Sequence, residues 1–129
     1  MTVGVKRRIL VVDDDEGTRR SLEILLTKEG YEVVQARNGS EALRAWRDHG
    51  GDLVIMDLLM PERGGIETIV ELLAYNPAIR IIAMSGGGDT KRFDLLGDAG
   101  MLGAVATIKK PFSSAEMMAA VSRALNGPS

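Results

Sequence analysis

One stretch restricts the fold more than any other: Leu53-Val54-Ile55-Met56-Asp57-Leu58-Leu59-Met60-Pro61. Four apolar residues run straight into a carboxylate, and a proline follows shortly after. An apolar run this short, bounded by turn signals, reads as a strand buried on both faces. Asp57 then stands where a central strand ends and a loop begins. In an open parallel α/β sheet, that carboxyl edge is where ligands bind. Taken alone, the residue also fits a helix cap or a solubilising loop position. A carboxylate closing a buried run is rarely a packing residue, because an unpaired buried charge is costly.

The rest of the chain repeats the pattern. Ile9 to Val12 is an apolar run stopped by Asp13-Asp14-Asp15, and Leu22, Leu25 and Leu26 then recur at helical spacing up to Gly30. Tyr31 to Ala36 reads as a second strand, and Asn38 with Glu41 as the capping pair of a second helix. After Asp57, Gly64-Gly65 opens a helix whose buried face is expected to carry Ile66, Ile69, Val70 and Leu73, and Pro77 closes that segment. Ile79 to Met84 is the fourth expected strand, leading into Ser85 and Gly86 to Gly88. A glycine-interrupted helix from Phe93 to Leu102 is the weakest element. Ala104 to Ile108 is the fifth strand, and Ser113 with Glu116 caps a last helix that buries Met117, Ala120, Val121 and Ala124.

Alternating strands and helices imply a parallel sheet with right-handed crossovers. Strands two and five are the most mixed in polarity, as edges are. The expected fold class is α/β: a flavodoxin-like, doubly wound five-stranded parallel sheet, order 2-1-3-4-5, with five helices. No repeat or linker divides the chain, so residues 1–129 read as a single domain with a core from about 7 to 126.

Composition narrows the function. There is no cysteine, which excludes disulfides, thiol nucleophiles and zinc–thiolate sites, and the single histidine, His49, argues against a Ser-His-Asp triad or a poly-histidine metal site. The net charge of −2 and the lack of a basic stripe argue against direct nucleic-acid binding. No apolar run approaches the roughly 18 residues of a membrane span, and no signal-peptide core is present, so the expected location is cytoplasmic.

The strand ends carry the chemistry. Strand one delivers Asp13 and Asp14, strand three Asp57, strand four Ser85 and strand five Lys110. In a parallel sheet these ends share one edge. Three converging carboxylates repel one another and call for cations. Lys110 supplies one charge, and one Mg2+ supplies the other two, hard oxygen ligands suiting it better than a transition metal. A divalent ion, an ammonium and a hydroxyl aimed at one carboxylate form a phosphoryl-handling arrangement, in which the carboxylate itself is the nucleophile.

Over essentially its whole length the chain resembles a response-regulator receiver domain, on the segments ILVVDDD, VIMDLLMP, AMSGG and IKKPF. The resemblance implies that Asp57 is the phosphoacceptor, that Asp14 ligates Mg2+ directly, and that Asp13 assists. The backbone carbonyl of Leu59 would complete the ligands, with Ser85 and Lys110 on the phosphoryl oxygens and a cis Lys110–Pro111 bond. The implied donor is a histidine kinase or a histidine phosphotransfer protein, docking against the first helix near Arg19 and Arg20. A downstream protein target or a fused output domain would read the signal, and the chain is either a stand-alone receiver or part of a longer regulator. Gly64 departs from the family's aspartate, the Ser85–Lys110 interval is longer than typical, and Thr107 replaces the usual aromatic switch residue. With Thr107 there, any switching is expected to run through the Gly86-Gly87-Gly88 loop and the lengthened helical segment that follows it.

Two other functions compete. A Mg2+-dependent phosphatase with an aspartyl-phosphate intermediate would carry a second aspartate two positions after the nucleophile, where this chain has Leu59. A nucleotide- or flavin-binding module would need a glycine-rich phosphate loop after strand one, where this chain has Asp13-Asp14-Asp15-Glu16. The expectation is a non-enzymatic signalling domain that phosphorylates and dephosphorylates itself at Asp57.

Overall fold

Residues 6–60, 64–86 and 103–126 are described by the computed structural model. The strands are β1 (Arg8–Val12), β2 (Glu32–Ala36), β3 (Leu53–Asp57), β4 (Ile81–Gly86) and β5 (Ala106–Lys110). The helices among the described residues are α1 (Glu16–Lys28), α2 (Gly39–His49), α3 (Gly65–Tyr75) and α4 (Ser114–Asn126). The helix expected from Phe93 to Leu102 lies outside the described residues, as do Gly87 and Gly88.

All strand pairs are parallel and the sheet order is β2-β1-β3-β4-β5, as the polarity of the runs predicts. β3, at the centre, is buried at every position, whereas β5 alternates half-buried and exposed residues. Strand parity sorts the side chains into two cores. Ile9, Val11, Leu53, Ile55, Ile82 and Met84 face Leu22 and Leu26 of α1 and Met117 and Val121 of α4. Leu10, Val12, Val54, Met56, Ile81 and Ala83 face Ala42 and Trp46 of α2 and Ile69 and Leu72 of α3. Each fully buried aliphatic side chain contributes about 1.5–3 kcal/mol, so these two layers carry most of the favourable folding free energy.

The helix starts are sequence-encoded. Asp15 caps α1 by accepting from the Thr18 N–H at 2.9 Å, and Asn38 caps α2 by accepting from Glu41 at 2.9 Å. Ser113 and Glu116 form a reciprocal capping box, with N–H···O distances of 3.0 and 2.9 Å. Gly30, with φ of 96°, turns the chain out of α1 in a conformation that favours glycine.

Two expectations need correction. β4 begins at Ile81 and β5 at Ala106, two residues later than the apolar runs suggest, because pairing starts at Val54↔Ile81 and Ile82↔Ala106. Ile79 is buried without belonging to the strand. On α3, Val70 is 46% exposed, and Thr68, fully buried, takes the inward position. Its hydroxyl donates to the Gly64 carbonyl at 3.1 Å, which removes the cost of burying it. Among the described residues, no helix is long and apolar enough to cross a membrane.

Candidate functional site

The ends of β1 and β3 bring three carboxylates together. One oxygen from each of Asp13, Asp14 and Asp57 lies within 4.8 Å of the others. Asp13 and Asp57 are buried and Asp14 is exposed, so the cluster has an inner wall and an open side. β5, the edge strand, delivers the counter-charge. Lys110 Nζ is 2.8 Å from Asp13 Oδ2 and 3.5 Å from Asp57 Oδ1. The Lys110–Pro111 bond is cis, as the resemblance implies.

Asp13 is held at each of its polar groups. Its N–H donates to the Ala36 carbonyl at 3.1 Å, and its own carbonyl accepts from Arg19 at 2.8 Å. Its Oδ1 accepts from the Asp15 N–H at 2.9 Å, while Oδ2 takes Lys110. Asp57 is held more loosely: the Leu59 N–H donates to its Oδ1 at 3.4 Å. Leu59 itself is 42% exposed. Ser85, buried at the end of β4, donates its hydroxyl to the Gly86 carbonyl at 3.3 Å. Ser85 follows Met84, the register partner of Asp57, which brings it to the same edge.

The electrostatics follow from this packing. Burial, reinforced by the Asp13 charge, pushes the Asp57 carboxyl up to about 6 against the opposing pull of Lys110. Burial pulls the Lys110 ammonium down, but its hydrogen bond to Asp13 and the charges of both carboxylates outweigh that and raise it. Lys110 is therefore a firm cation at neutral pH. The cluster keeps a net charge of −2 when all three acids are ionised, and its donors are all hard oxygens. That donor set fits a hard divalent cation. Asp15, the third acid of the triplet, is spent on Thr18, whose hydroxyl and N–H hold its carboxyl below the usual range.

Of the five residues singled out at the strand ends, Asp13, Asp14, Asp57 and Lys110 thus come together, and β4 brings Ser85 to the same edge. Other residues were less visible in the sequence. Gly65 opens α3 against β3: a Cβ there would overlap the Asp57 carbonyl oxygen and stand 2.6 Å from Leu58 Cα. Only the doubled glycine hints at that close approach. Arg19 is not available to a docking partner. It is 7% exposed and turned inward, whereas Arg20 is exposed. Thr107 is exposed on β5.

Known proteins share this sequence and fold. Residues 9–122 match the family described as the response regulator receiver domain. The chemotaxis protein CheY of Bacillus subtilis is 38% identical over 120 residues, covering 92% of this chain and 98% of that protein. The sporulation initiation phosphotransferase F of the same organism is 35% identical over 121 residues, covering 94% and 95%. The crystal structure of a response regulator receiver domain protein from Clostridium thermocellum superposes with a TM-score of 0.85 at 30% identity, covering 93% of this chain and 94% of that one. The chain belongs to the response regulator receiver domain family of two-component signalling systems.

Proposed function

We propose that this receiver accepts a phosphoryl group on Asp57 from a phosphohistidine, carried by a histidine kinase or a histidine phosphotransfer protein. The observation that carries the reading is a buried carboxylate at the end of the central strand with an ammonium 3.5 Å away. An ionised Asp57 oxygen attacks phosphorus, forming an O–P bond as the N–P bond breaks. The electron pair leaves on the imidazole nitrogen, which is reprotonated from solvent. Lys110 pairs with one phosphoryl oxygen and Ser85 donates its hydroxyl to another, so both stabilise charge that builds up during transfer. Asp13, Asp14, Asp57 and the backbone carbonyl of Leu59 would hold Mg2+, whose charge offsets the repulsion between an incoming phosphate and three carboxylates. The same groups support self-phosphorylation by small phosphodonors and self-dephosphorylation by water. A second aspartate that could protonate a leaving alcohol is missing at Leu59, which disfavours a phosphatase acting on separate substrates. A downstream protein target or an output domain would read the modified surface, and exposed Thr107 favours relay over the burial of an aromatic ring.

The test is intact-mass spectrometry after incubation with acetyl phosphate and Mg2+. The unaltered protein gains one phosphoryl group, while Asp57→Asn or chelation of the metal abolishes the gain. Equal uptake by Asp57→Asn overturns the assignment.

A further inference from the structure

Arg19 buries a guanidinium behind the acidic cluster, yet its hydrogen bonds go to neutral oxygens. Nη1 donates to the Asp13 carbonyl at 2.8 Å and Nε to Gln35 Oε1 at 2.9 Å. Among the described residues it makes no ion pair. Its charge acts on Asp15 and Glu41 from beyond ion-pair distance, so its direct bonds, both to neutral oxygens, serve to hold a position rather than to neutralise a charge. Gln35 on β2 is itself oriented by Glu23 of α1, whose Oε1 accepts from Gln35 Nε2 at 3.0 Å. The guanidinium therefore bridges α1, β2 and the Asp13–Asp14 peptide, and its reach is fixed from two sides.

The peptide it grips is the one that aims both acids. With the Asp13 carbonyl on Arg19, the peptide plane between Asp13 and Asp14 cannot rotate without losing a buried bond, and the Asp13 N–H on Ala36 pins the plane before it. From that fixed plane Asp13 reaches Lys110, while Asp14, the exposed member, keeps a carboxylate oxygen within 4.8 Å of those of Asp13 and Asp57. We infer that Arg19 is a positioning residue for the metal-ligating loop, holding Asp13 and Asp14 in the geometry that receives Mg2+. This inference rests on the reading of the cluster as a Mg2+ site, and it concerns metal affinity rather than phosphoryl transfer.

The sign of the effect separates positioning from simple charge. Removing a positive charge beside a cation site strengthens cation binding by Coulomb's law. Losing the anchor of a metal-ligating loop weakens it, typically by about tenfold or more for groups that orient ligands. Arg19→Met removes donors and charge together, and Arg19→Lys keeps the charge but cannot make both bonds. Arg20→Met, an exposed neighbour on α1, reports the effect of net charge alone.

Mg2+ titration calorimetry on the four proteins decides. Positioning predicts about tenfold weaker binding for both Arg19 variants, with Arg20→Met unchanged or slightly tighter. Phosphoryl uptake from acetyl phosphate at saturating Mg2+ should return close to the unaltered rate in Arg19→Lys. Binding as tight as or tighter than the unaltered protein in Arg19→Met overturns the inference, as does unaltered affinity in Arg19→Lys. If Arg19→Met does not fold, Gln35→Met, which removes the acceptor of Nε, takes its place with the same expected direction. An unaltered protein that binds no Mg2+ also refutes it. An unaltered protein that binds Mg2+ but takes up no phosphoryl group counts against the proposed function alone.

Discussion

At the carboxyl edge of the sheet, three carboxylates crowd within 4.8 Å around one lysine, and the acid on the central strand is pushed up to about 6 by burial and a like charge. At the amino edge of the same strands, charges are matched. The Arg8 N–H donates to Asp52 at 2.8 Å, and its guanidinium reaches Glu32 and the His49 carbonyl. Arg80 donates to the Ala124 and Leu125 carbonyls at 2.7 and 2.9 Å, and Arg7 to Leu125 at 3.2 Å, so two cations close the negative end of α4. One edge is arranged for stability. The other holds unrelieved repulsion, which a ligand can relieve and thereby bind.

The strongest way to break the contrast is to strike the backbone that the crowded edge rests on. Gly65→Ala forces α3 away from the Asp57 carbonyl and should cost about 3 kcal/mol in urea unfolding. A loss below about 1 kcal/mol would mean that α3 shifts freely and does not define the site.

Asp57→Asn tests the repulsion itself. The folded-state value of about 6 lies above the ordinary carboxyl value of 3.8, so the native state holds that proton more tightly than the unfolded chain. The contribution of Asp57 to stability is thus intact below about pH 4 and lost as pH rises through about 6. In metal-free buffer at pH 7.5, Asp57→Asn should be more stable than the unaltered protein by up to about 3 kcal/mol, and the difference should vanish below about pH 4. Added Mg2+ should stabilise the unaltered protein far more than the variant. A variant less stable than the unaltered protein at pH 7.5 would remove the argument.

The amino edge should behave oppositely and more mildly. Arg80→Met strips two hydrogen bonds from the α4 terminus and should cost about 1–2 kcal/mol. That cost should be the same at pH 5 and pH 8 and indifferent to Mg2+. A strong dependence on the metal would show that the two edges are coupled through the strands.

The difference between the edges also marks what could be read from the chain. Continuous apolar runs ending in acids made β1, β3 and their order legible, because burial on both faces leaves its mark in every residue. The starts of β4 and β5 were not legible. Ile79 and Ala104 extend the apolar runs, but hydrogen-bond register decides where a strand begins. Val70 illustrates a second limit: a threonine that bonds its own helix start can occupy a buried position, and periodicity then favours the wrong neighbour. Arg19 illustrates a third. Its partners are a backbone carbonyl and a strand residue 16 positions away, and an arginine beside an acidic loop looks the same in sequence whether it faces water or core. Within the acidic triplet, only packing separates the helix cap Asp15 from the clustered Asp13 and Asp14.

The parity of the strands has one more consequence. Asp13, Asp57 and Lys110 continue the alternation of Val11, Ile55 and Ile108, which belong to the layer under α1 and α4. Ser85 continues that of Ile81 and Ala83, which belong to the layer under α2 and α3. Among the described residues, the two layers have no side chain in common. A group seated on Asp57 and gripped by both Lys110 and Ser85 would act as a rivet through the sheet, fastening together the two core layers that lie on its opposite faces.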